Sequence, residues 1–416
     1  MTDLQASRLH TRRTGNTVTD SSSRTRLNTI LSWVIVALLA VSPIPLGGTP
    51  PIAWTIWGML VSCITIAYLL LLGRSGRGAS FSIGSIWPAA ALHGALCLYL
   101  IIQVLPLGRL FGGIPLTVAD GTVVMTDSIS IAPGDTILTL VRMLTYGLLF
   151  YLTMQVAISD RRRQFLLRAI VAIVTAHALY ALIALFQLGD TVLGAEKWKY
   201  FGSATGTFVN RNSFATYLIF GLICALTLAA SGLRKPRGGR IRLRLDPLFA
   251  VYLLSAIIVL TTVTATNSRM GFVLAWAAVI AVLLLLAIRS TVRLRLLTYG
   301  LPALLLVAAM LIFFYGETLW LRLEDSQLNF QVRLELYRQV IHLMQRPWLG
   351  FGGGSFEQAF PIVHEASLMT DLDWDKAHNT YLQLWSELGL IIGSIPIMLV
   401  GALAALLTSN LAKTNG

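Results

Sequence analysis

An all-α, polytopic membrane protein is predicted by three features of the sequence: apolar windows recur along the chain, they hold almost no charge, and basic residues gather in alternate connections. Hydrophobic residues fill 56% of the 416 positions and charged residues 12%, for a mean hydropathy of +0.72. That balance leaves too little polar surface for a water-soluble globule. Ten windows are apolar enough to span, near residues 29–45, 52–72, 86–106, 137–158, 165–188, 213–231, 247–264, 271–288, 296–315 and 380–407. Each crosses about 30 Å of hydrocarbon as a helix, the element that satisfies its own backbone hydrogen bonds there.

Orientation follows from the basic residues. Of the 32 Lys and Arg, 21 fall on one side, in the clusters Arg8 to Arg26, Arg74 and Arg77, Arg161 to Arg168, Arg234 to Arg244, Arg289 to Arg295, and Lys413. Only Asp3, Asp20, Asp160 and Asp246 share that side. By the positive-inside rule it is cytoplasmic, so both termini are expected in the cytoplasm and the long polar stretch on the opposite face. The expected organisation is a cytoplasmic tail over 1–28, a nine-span membrane domain over 29–316, a periplasmic loop over 317–377, a tenth span over 378–408 and a short tail over 409–416.

The net charge of +13 does not indicate nucleic acid, because it originates in short loops where topology and anionic headgroups demand it. Cys63, Cys97 and Cys224 all lie within spans and form neither a disulfide framework nor a metal-ligand spacing.

In chain order, Met1 to Arg26 reads as a disordered polar lead, and the first span as an uncleaved anchor rather than a signal peptide. Residues 42–48 form a tight outer turn, and 107–135 an outer loop with a short hairpin. His93 and His177 sit within spans; each suits a neutral imidazole bonded to a neighbouring helix, although ionisable groups at depth are functional candidates by default. Thr261, Thr262, Thr264 and Thr266 bond neighbouring helices, line a wet cavity or bond their own helix carbonyls.

Three spans open at the outer surface in a shared way. The sixth begins with Asn210-Arg211-Asn212-Ser213, the eighth with Asn267-Ser268-Arg269 and the tenth with His378-Asn379-Thr380. Each pairs an Asn or Ser cap with a basic or potentially basic side chain in the first turn. A helix N-terminus already presents unpaired N–H groups and the positive end of the macrodipole, so a cation there suits a visiting anion, a diphosphate above all. The alternative is that Arg211 and Arg269 snorkel to headgroup phosphates.

Within the outer loop, residues 330–346 read as an amphipathic helix. Its apolar stripe is Tyr337, Ile341 and Met344, widened by Leu334, Val340 and Leu343, and Arg338, His342 and Arg346 lie opposite. Arg333 lies between the two faces. Pro347 ends the helix, and the Gly350 to Ser355 run after it lacks the lysine and the preceding strand of a nucleotide loop. It reads as a turn allowing close backbone approach. Asp371, Asp373 and Asp375 alternate without the glycine and terminal Glu of a calcium loop, so no metal is expected.

These motifs together, Gly-Thr-Phe-Val-Asn-Arg-Asn-Ser-Phe-Ala (206–215), Ser-Arg-Met-Gly (268–271), Arg333 through Tyr337 to Pro347-Trp348-Leu349-Gly350-Phe351-Gly352, and His378-Asn379-Thr380-Tyr381-Leu382 with Glu387-Leu388-Gly389, resemble the O-antigen ligase and polysaccharide polymerase superfamily. The resemblance covers roughly 201–393. It implies a membrane glycosyltransferase that takes a glycan from an undecaprenyl diphosphate-linked donor and joins it to a saccharide or lipid acceptor at the periplasmic face, as ligase or polymerase, with no cofactor. By motif, Arg211 and Arg269 would hold the diphosphate and His378 would position or deprotonate the acceptor hydroxyl. Asn210, Arg333, Arg338 and Asn379 would be supporting contacts. Members of that family commonly have more spans than the ten counted here. A competing expectation is a transporter of lipid-linked oligosaccharide, which would show related halves or spans broken at matching positions; neither is evident in the sequence.

Overall fold

A computed structural model describes residues 25–76, 78–118, 121–231, 247–289, 326–365, 367–368 and 374–413. The expected ninth span (296–315), most of the polar lead, the basic run 234–244, and Asp371 and Asp373 lie outside the described residues.

Helices occupy the other nine expected windows. They are α1 (Thr25–Val41), α2 (Pro51–Arg74), α3 (Trp87–Val104), α5 (Pro133–Ala157), α6 (Asp160–Phe186), α7 (Arg211–Ser231), α8 (Pro247–Ala265), α9 (Arg269–Arg289) and α12 (Thr380–Lys413). A short helix α4 (Leu107–Phe111) and two hairpins interrupt the pattern, β1 (Ile114–Thr117) with β2 (Val123–Thr126), and β3 (Thr191–Val192) with β4 (Ala195–Glu196). Helix α10 (Ser326–Leu343) and the short α11 (Phe356–Ala359) lie between α9 and α12. Seven of the helices are each long and apolar enough to cross a membrane. The protein is thus a polytopic helical membrane protein.

The chain divides into two compact units. The first contains, among the described residues, 25–53, 64–81 and 152–289. Its core is α6 to α9, where Val174, Ala178, Phe214, Leu218, Leu222, Val259, Val263 and Ala275 are buried together. Small residues allow the close approach, as in membrane helix packing generally. A Cβ on Gly221 would lie 2.4 Å from Val174, and one on Gly271 would lie 2.6 Å from the Ala215 methyl. His177 bonds within its own helix, Nδ1 to the Ile173 carbonyl at 2.9 Å, and lies 3.4 Å from the Tyr217 hydroxyl on α7. The threonines of α8 resolve to back-bonding: Thr262, Thr264 and Thr266 donate to the carbonyls of Ile258, Leu260 and Val263.

The second unit contains 54–63, 82–151 and the described residues from 326 onward. Helix α10 is amphipathic as expected, but its buried stripe is rotated. Leu336, Val340 and Leu343 are fully buried, whereas Leu334 and Ile341 are 45% and 59% exposed. At about 100° per residue, Phe330, Leu334, Tyr337 and Ile341 share a second apolar strip beside the first. Sequence periodicity merged the two strips and centred the packing face wrongly.

Arg346 is a further correction. The helix stops at Leu343, and Arg346 turns inward rather than extending a solvated face. It is 9% exposed and donates to the carbonyls of Pro115 (2.6 Å), Ile114 (3.2 Å) and Ile129 (3.4 Å), while its guanidinium stacks on Phe351. It thus fastens the β1–β2 hairpin to the turn after α10, and burial pushes its pKa down.

The glycine-rich turn is a close-approach segment, and what it approaches is a break in the last span. Gly389 has φ +74° and ψ 165°, so α12 is two helical halves joined at an extended residue. Residues 347–352 fill the break. Phe351 and Gly352 N–H groups donate to the Ser386 and Glu387 carbonyls at 2.9 Å, and Leu390 N–H donates to the Pro347 carbonyl at 2.7 Å. A Cβ on Gly389 would lie 2.3 Å from the Trp348 carbonyl oxygen, and one on Gly350 would lie 2.4 Å from that of Glu387. At membrane depth a broken helix is tolerated where other groups satisfy the freed backbone, and here the protein's own turn does so. Helices α2, α3 and α5 to α9 contain no such non-helical residue.

Candidate functional site

The expected site residues fall into two groups, one in each unit.

In the first unit, α7 and α9 begin side by side. Asn210 caps α7: its Oδ1 accepts from the Asn212 N–H at 2.8 Å and its carbonyl from Phe214 N–H at 3.1 Å. Ser268 caps α9, its Oγ accepting from Gly271 N–H at 3.1 Å. The same Ser268 hydroxyl donates to Asn212 Oδ1 at 2.8 Å, so the cap of α9 is tied to the first turn of α7. Arg211 and Arg269 are the first residues of these linked helices. Chain reversal ahead of α9 depends on Asn267, at φ +52°, whose side-chain amide holds the Gly202 carbonyl at 3.0 Å.

The segment leading to Arg211 is held from several directions. Lys197 is almost fully buried, ion-paired with Asp190, and donates to the Ser203 carbonyl at 2.7 Å. Asp190 accepts in turn from the Gly202 N–H at 2.7 Å, and Ala204 N–H donates to the Ala265 carbonyl at the end of α8. This clasp presents Tyr200, whose ring lies 5.2 Å under the Arg211 guanidinium, a cation–π contact that orients the charge. The Thr205 and Thr207 hydroxyls are buried without a hydrogen-bond partner among the described residues. Lys197, Asp190 and Tyr200 were not legible as site residues, since their roles depend on a loop closing onto α8.

In the second unit, Asn379 caps α12, its Oδ1 accepting from the Tyr381 and Leu382 N–H groups at 3.0 and 3.3 Å. His378 immediately precedes it at φ +49°, a left-handed conformation held by its neighbours. The Tyr337 hydroxyl on α10 donates to the His378 carbonyl at 3.2 Å, and the Trp374 ring meets the imidazole edge-on at 6.3 Å. Desolvation pushes the imidazole pKa down, and the Arg333 guanidinium pushes it the same way, against the opposing pull of Asp375. His378 is therefore held as a neutral ring near neutrality, the form that accepts a proton. Arg333 is exposed on α10 and close enough for its charge to act on His378.

Arg338 is differently committed. It forms ion pairs with Glu335 at 2.7 Å and with Glu365. Arg338, with Ser367 and Gln339, lowers the Glu335 carboxyl to about 2, and both carboxylates raise the Arg338 pKa. Gln339, fully buried, binds Ser367 at 2.9 Å and accepts from the Glu365 N–H at 3.1 Å. Arg338 thus belongs to a polar knot joining α10 to the loop after α11. Among the described residues no group of three His, Cys, Asp or Glu could hold a metal ion.

Residues 254–397 match the family model described as O-Antigen ligase. This segment takes in Arg269, Arg333, Arg338, His378 and Asn379, while Asn210 and Arg211 precede it. No curated protein and no solved structure matches the chain. Within a helical membrane fold, residues 254–397 are thus similar to the O-antigen ligase family, a likeness that supports glycan transfer of that general kind.

Proposed function

We propose that the protein transfers a glycan from an undecaprenyl diphosphate carrier to a saccharide or lipid acceptor at the periplasmic face of the bacterial inner membrane, by a route needing no metal. The observation that carries this reading is the linked pair of N-termini on α7 and α9. Two arginines stand where the helices' own dipoles disfavour cations, and the α9 cap Ser268 is bonded to Asn212 in the first turn of α7 at 2.8 Å. Cations beside two helix N-termini suit an anion of more than one charge, which both the guanidinium groups and the N–H groups would attract. Departure of the diphosphate builds negative charge on its bridging oxygen, so preorganised guanidinium and N–H donors stabilise the transition state more than the ground state.

In this mechanism Arg211 and Arg269 hold the diphosphate and Asn210 keeps the first of them in place. His378, neutral, takes the proton from the acceptor hydroxyl as it attacks the anomeric carbon and the carbon–oxygen bond to the diphosphate breaks. Asn379 orients His378 through the helix cap. Arg333 keeps the imidazole unprotonated and adds positive field. Arg338 supports indirectly, by fixing the helix that bears Arg333. The transporter alternative is disfavoured because the break in α12 is filled by the protein's own turn.

The test is transfer in detergent from a carrier-linked glycan to acceptor by the purified protein. Arg211→Ala and His378→Ala are each expected to reduce product formation by on the order of 10²-fold or more. Wild-type rates in both would refute the assignment. In cells lacking the gene, single-repeat products would identify a polymerase, and carrier-linked long polymer with bare acceptor a ligase.

A further inference from the structure

Glu387 lies in the upper half of α12, 7% exposed in a membrane span, and no step above uses it. An ionisable group at that depth is expensive and calls for a reason. Its two carboxylate oxygens have separate partners. Oε2 accepts from the Gly354 N–H at 2.7 Å and Oε1 from the Gln383 side-chain amide at 3.0 Å. The nearby cation is Arg142 of α5, stacked 4.6 Å from the Trp54 ring centroid.

Gln103 of α3, fully buried, completes the arrangement from the other side. Its amide N–H groups reach the Leu349 carbonyl at 3.0 Å and the Glu387 carbonyl at 2.9 Å, while its Oε1 accepts from the Gly353 N–H at 3.0 Å. Consecutive N–H groups of the turn, those of Gly353 and Gly354, are thus each matched to one side-chain oxygen. The turn has no room to adjust: a Cβ on Gly353 would lie 2.4 Å from Leu100, and one on Gly354 would lie 2.5 Å from the Thr139 hydroxyl. Apolar packing could fasten the segment but could not set its register. Matched donors and acceptors do so.

We propose that Glu387 and Gln103 are positioning residues that lock segment 347–354 into the break of α12 and so fix the short half-helix 380–388, whose N-terminus presents Asn379 and His378. The effect travels along one rigid element. Glu387 is nine residues from His378, about 13 Å along a helix, and the intervening turns are held at their lower end by the bonds of Glu387 and Gln103 and at their upper end by Tyr337. The proposal rests on the functional reading above in taking His378 as the catalytic base.

Two measurements on the full-length protein test it. The first is steady-state transfer by Glu387→Ala, Gln103→Ala and the near-isosteric Glu387→Gln. The alanine variants are expected to lose kcat by on the order of 10–10²-fold with donor KM nearly unchanged, the signature of a misplaced reacting group. Glu387→Gln retains an oxygen for Gly354 and an amide for Gln383, and is expected to recover most of the rate. The second is hydrogen exchange, in which residues 347–354 and 379–383 should exchange faster in Glu387→Ala and near the wild-type rate in Glu387→Gln.

A Glu387→Gln variant as inactive as Glu387→Ala would overturn the proposal, since the carboxylate itself would then be required. Unchanged exchange in Glu387→Ala would overturn it equally, and with His378 still essential the functional reading would survive. Conversely, if His378→Ala transfers at the wild-type rate, that reading fails and the catalytic half of this proposal fails with it, however the exchange responds.

Discussion

Arginines occupy two contrasting settings. At the heads of α7 and α9, Arg211 and Arg269 stand against the helix dipole, beside the Ser268–Asn212 bond that joins the two first turns. In the second unit, Arg338 is matched by two carboxylates, and Arg346 donates to backbone carbonyls from a buried position. The first setting puts positive charge where the backbone offers N–H donors rather than carbonyls; the second spends its positive charge on holding loops. A guanidinium is thus a ligand site or a rivet according to what the backbone around it offers, and the residue type alone does not decide.

The largest expected effect sharpens this contrast through catalysis. Arg269→Ala should cost on the order of 10²–10³-fold in transfer rate while leaving thermal stability near that of the parent protein. Arg338→Ala should do far less to the rate, and equal losses in the two variants would erase the distinction drawn here.

Next in size is a stability effect with the opposite balance. Arg346→Ala leaves the Pro115 and Ile114 carbonyls without their charged donor, and should cost about 2–3 kcal/mol of stability. It should appear as a lower unfolding temperature in detergent, together with faster exchange in β1 and β2. A variant as stable as the parent would show that Arg346 is not a fastener.

The pH dependence probes His378. Because its pKa is held down by desolvation and by Arg333, the acid limb of kcat/KM, which reports the free enzyme, should have its midpoint below the ordinary histidine value of about 6.5. Arg333→Ala removes one depressing influence, so the midpoint should move to higher pH. Linkage has the matching sign: the depressed folded-state pKa makes the unfolded chain the stronger proton binder, so this group's contribution to stability is present above about 6.5 and is lost as pH falls toward the folded value. A midpoint that stays put or moves down in Arg333→Ala would separate the two residues.

Smallest is the cap. Asn379→Ala removes the acceptor for two N–H groups and should cost about 1 kcal/mol, read as fraying of the first turn of α12 by hydrogen exchange. Its effect on rate should exceed that of a substitution lower on α12 that costs as much stability.

Much of this architecture was legible in the sequence because the relevant energies are local or additive. Nine helices fall on apolar windows, since hydrophobic transfer sums over some 20 residues, and Asn210, Ser268 and Asn379 were legible as caps because a cap is a short-range pattern. The break at Gly389 was not legible. A glycine within an apolar window is ordinary, and its meaning depends on a turn some 40 residues earlier in the chain that fills the gap. Arg346 and Arg338 likewise looked alike on a helical wheel, because their partners, the β1–β2 hairpin and Glu365, are brought in by tertiary structure. The rotated face of α10 shows the same limit. Two adjacent apolar strips satisfy one periodicity, and only packing selects Leu336, Val340 and Leu343 over Leu334 and Ile341.

The central claim is that the heads of α7 and α9 grip a polyprenyl diphosphate. The most direct measurement is the affinity of the purified protein for undecaprenyl diphosphate, set beside undecaprenyl monophosphate, in the parent protein and in Arg211→Ala and Arg269→Ala. The account predicts that the parent prefers the diphosphate and that each substitution weakens its binding by about tenfold or more, with the preference lost. Equal affinity for the two lipids in the parent, or diphosphate binding unchanged in both variants, would contradict it.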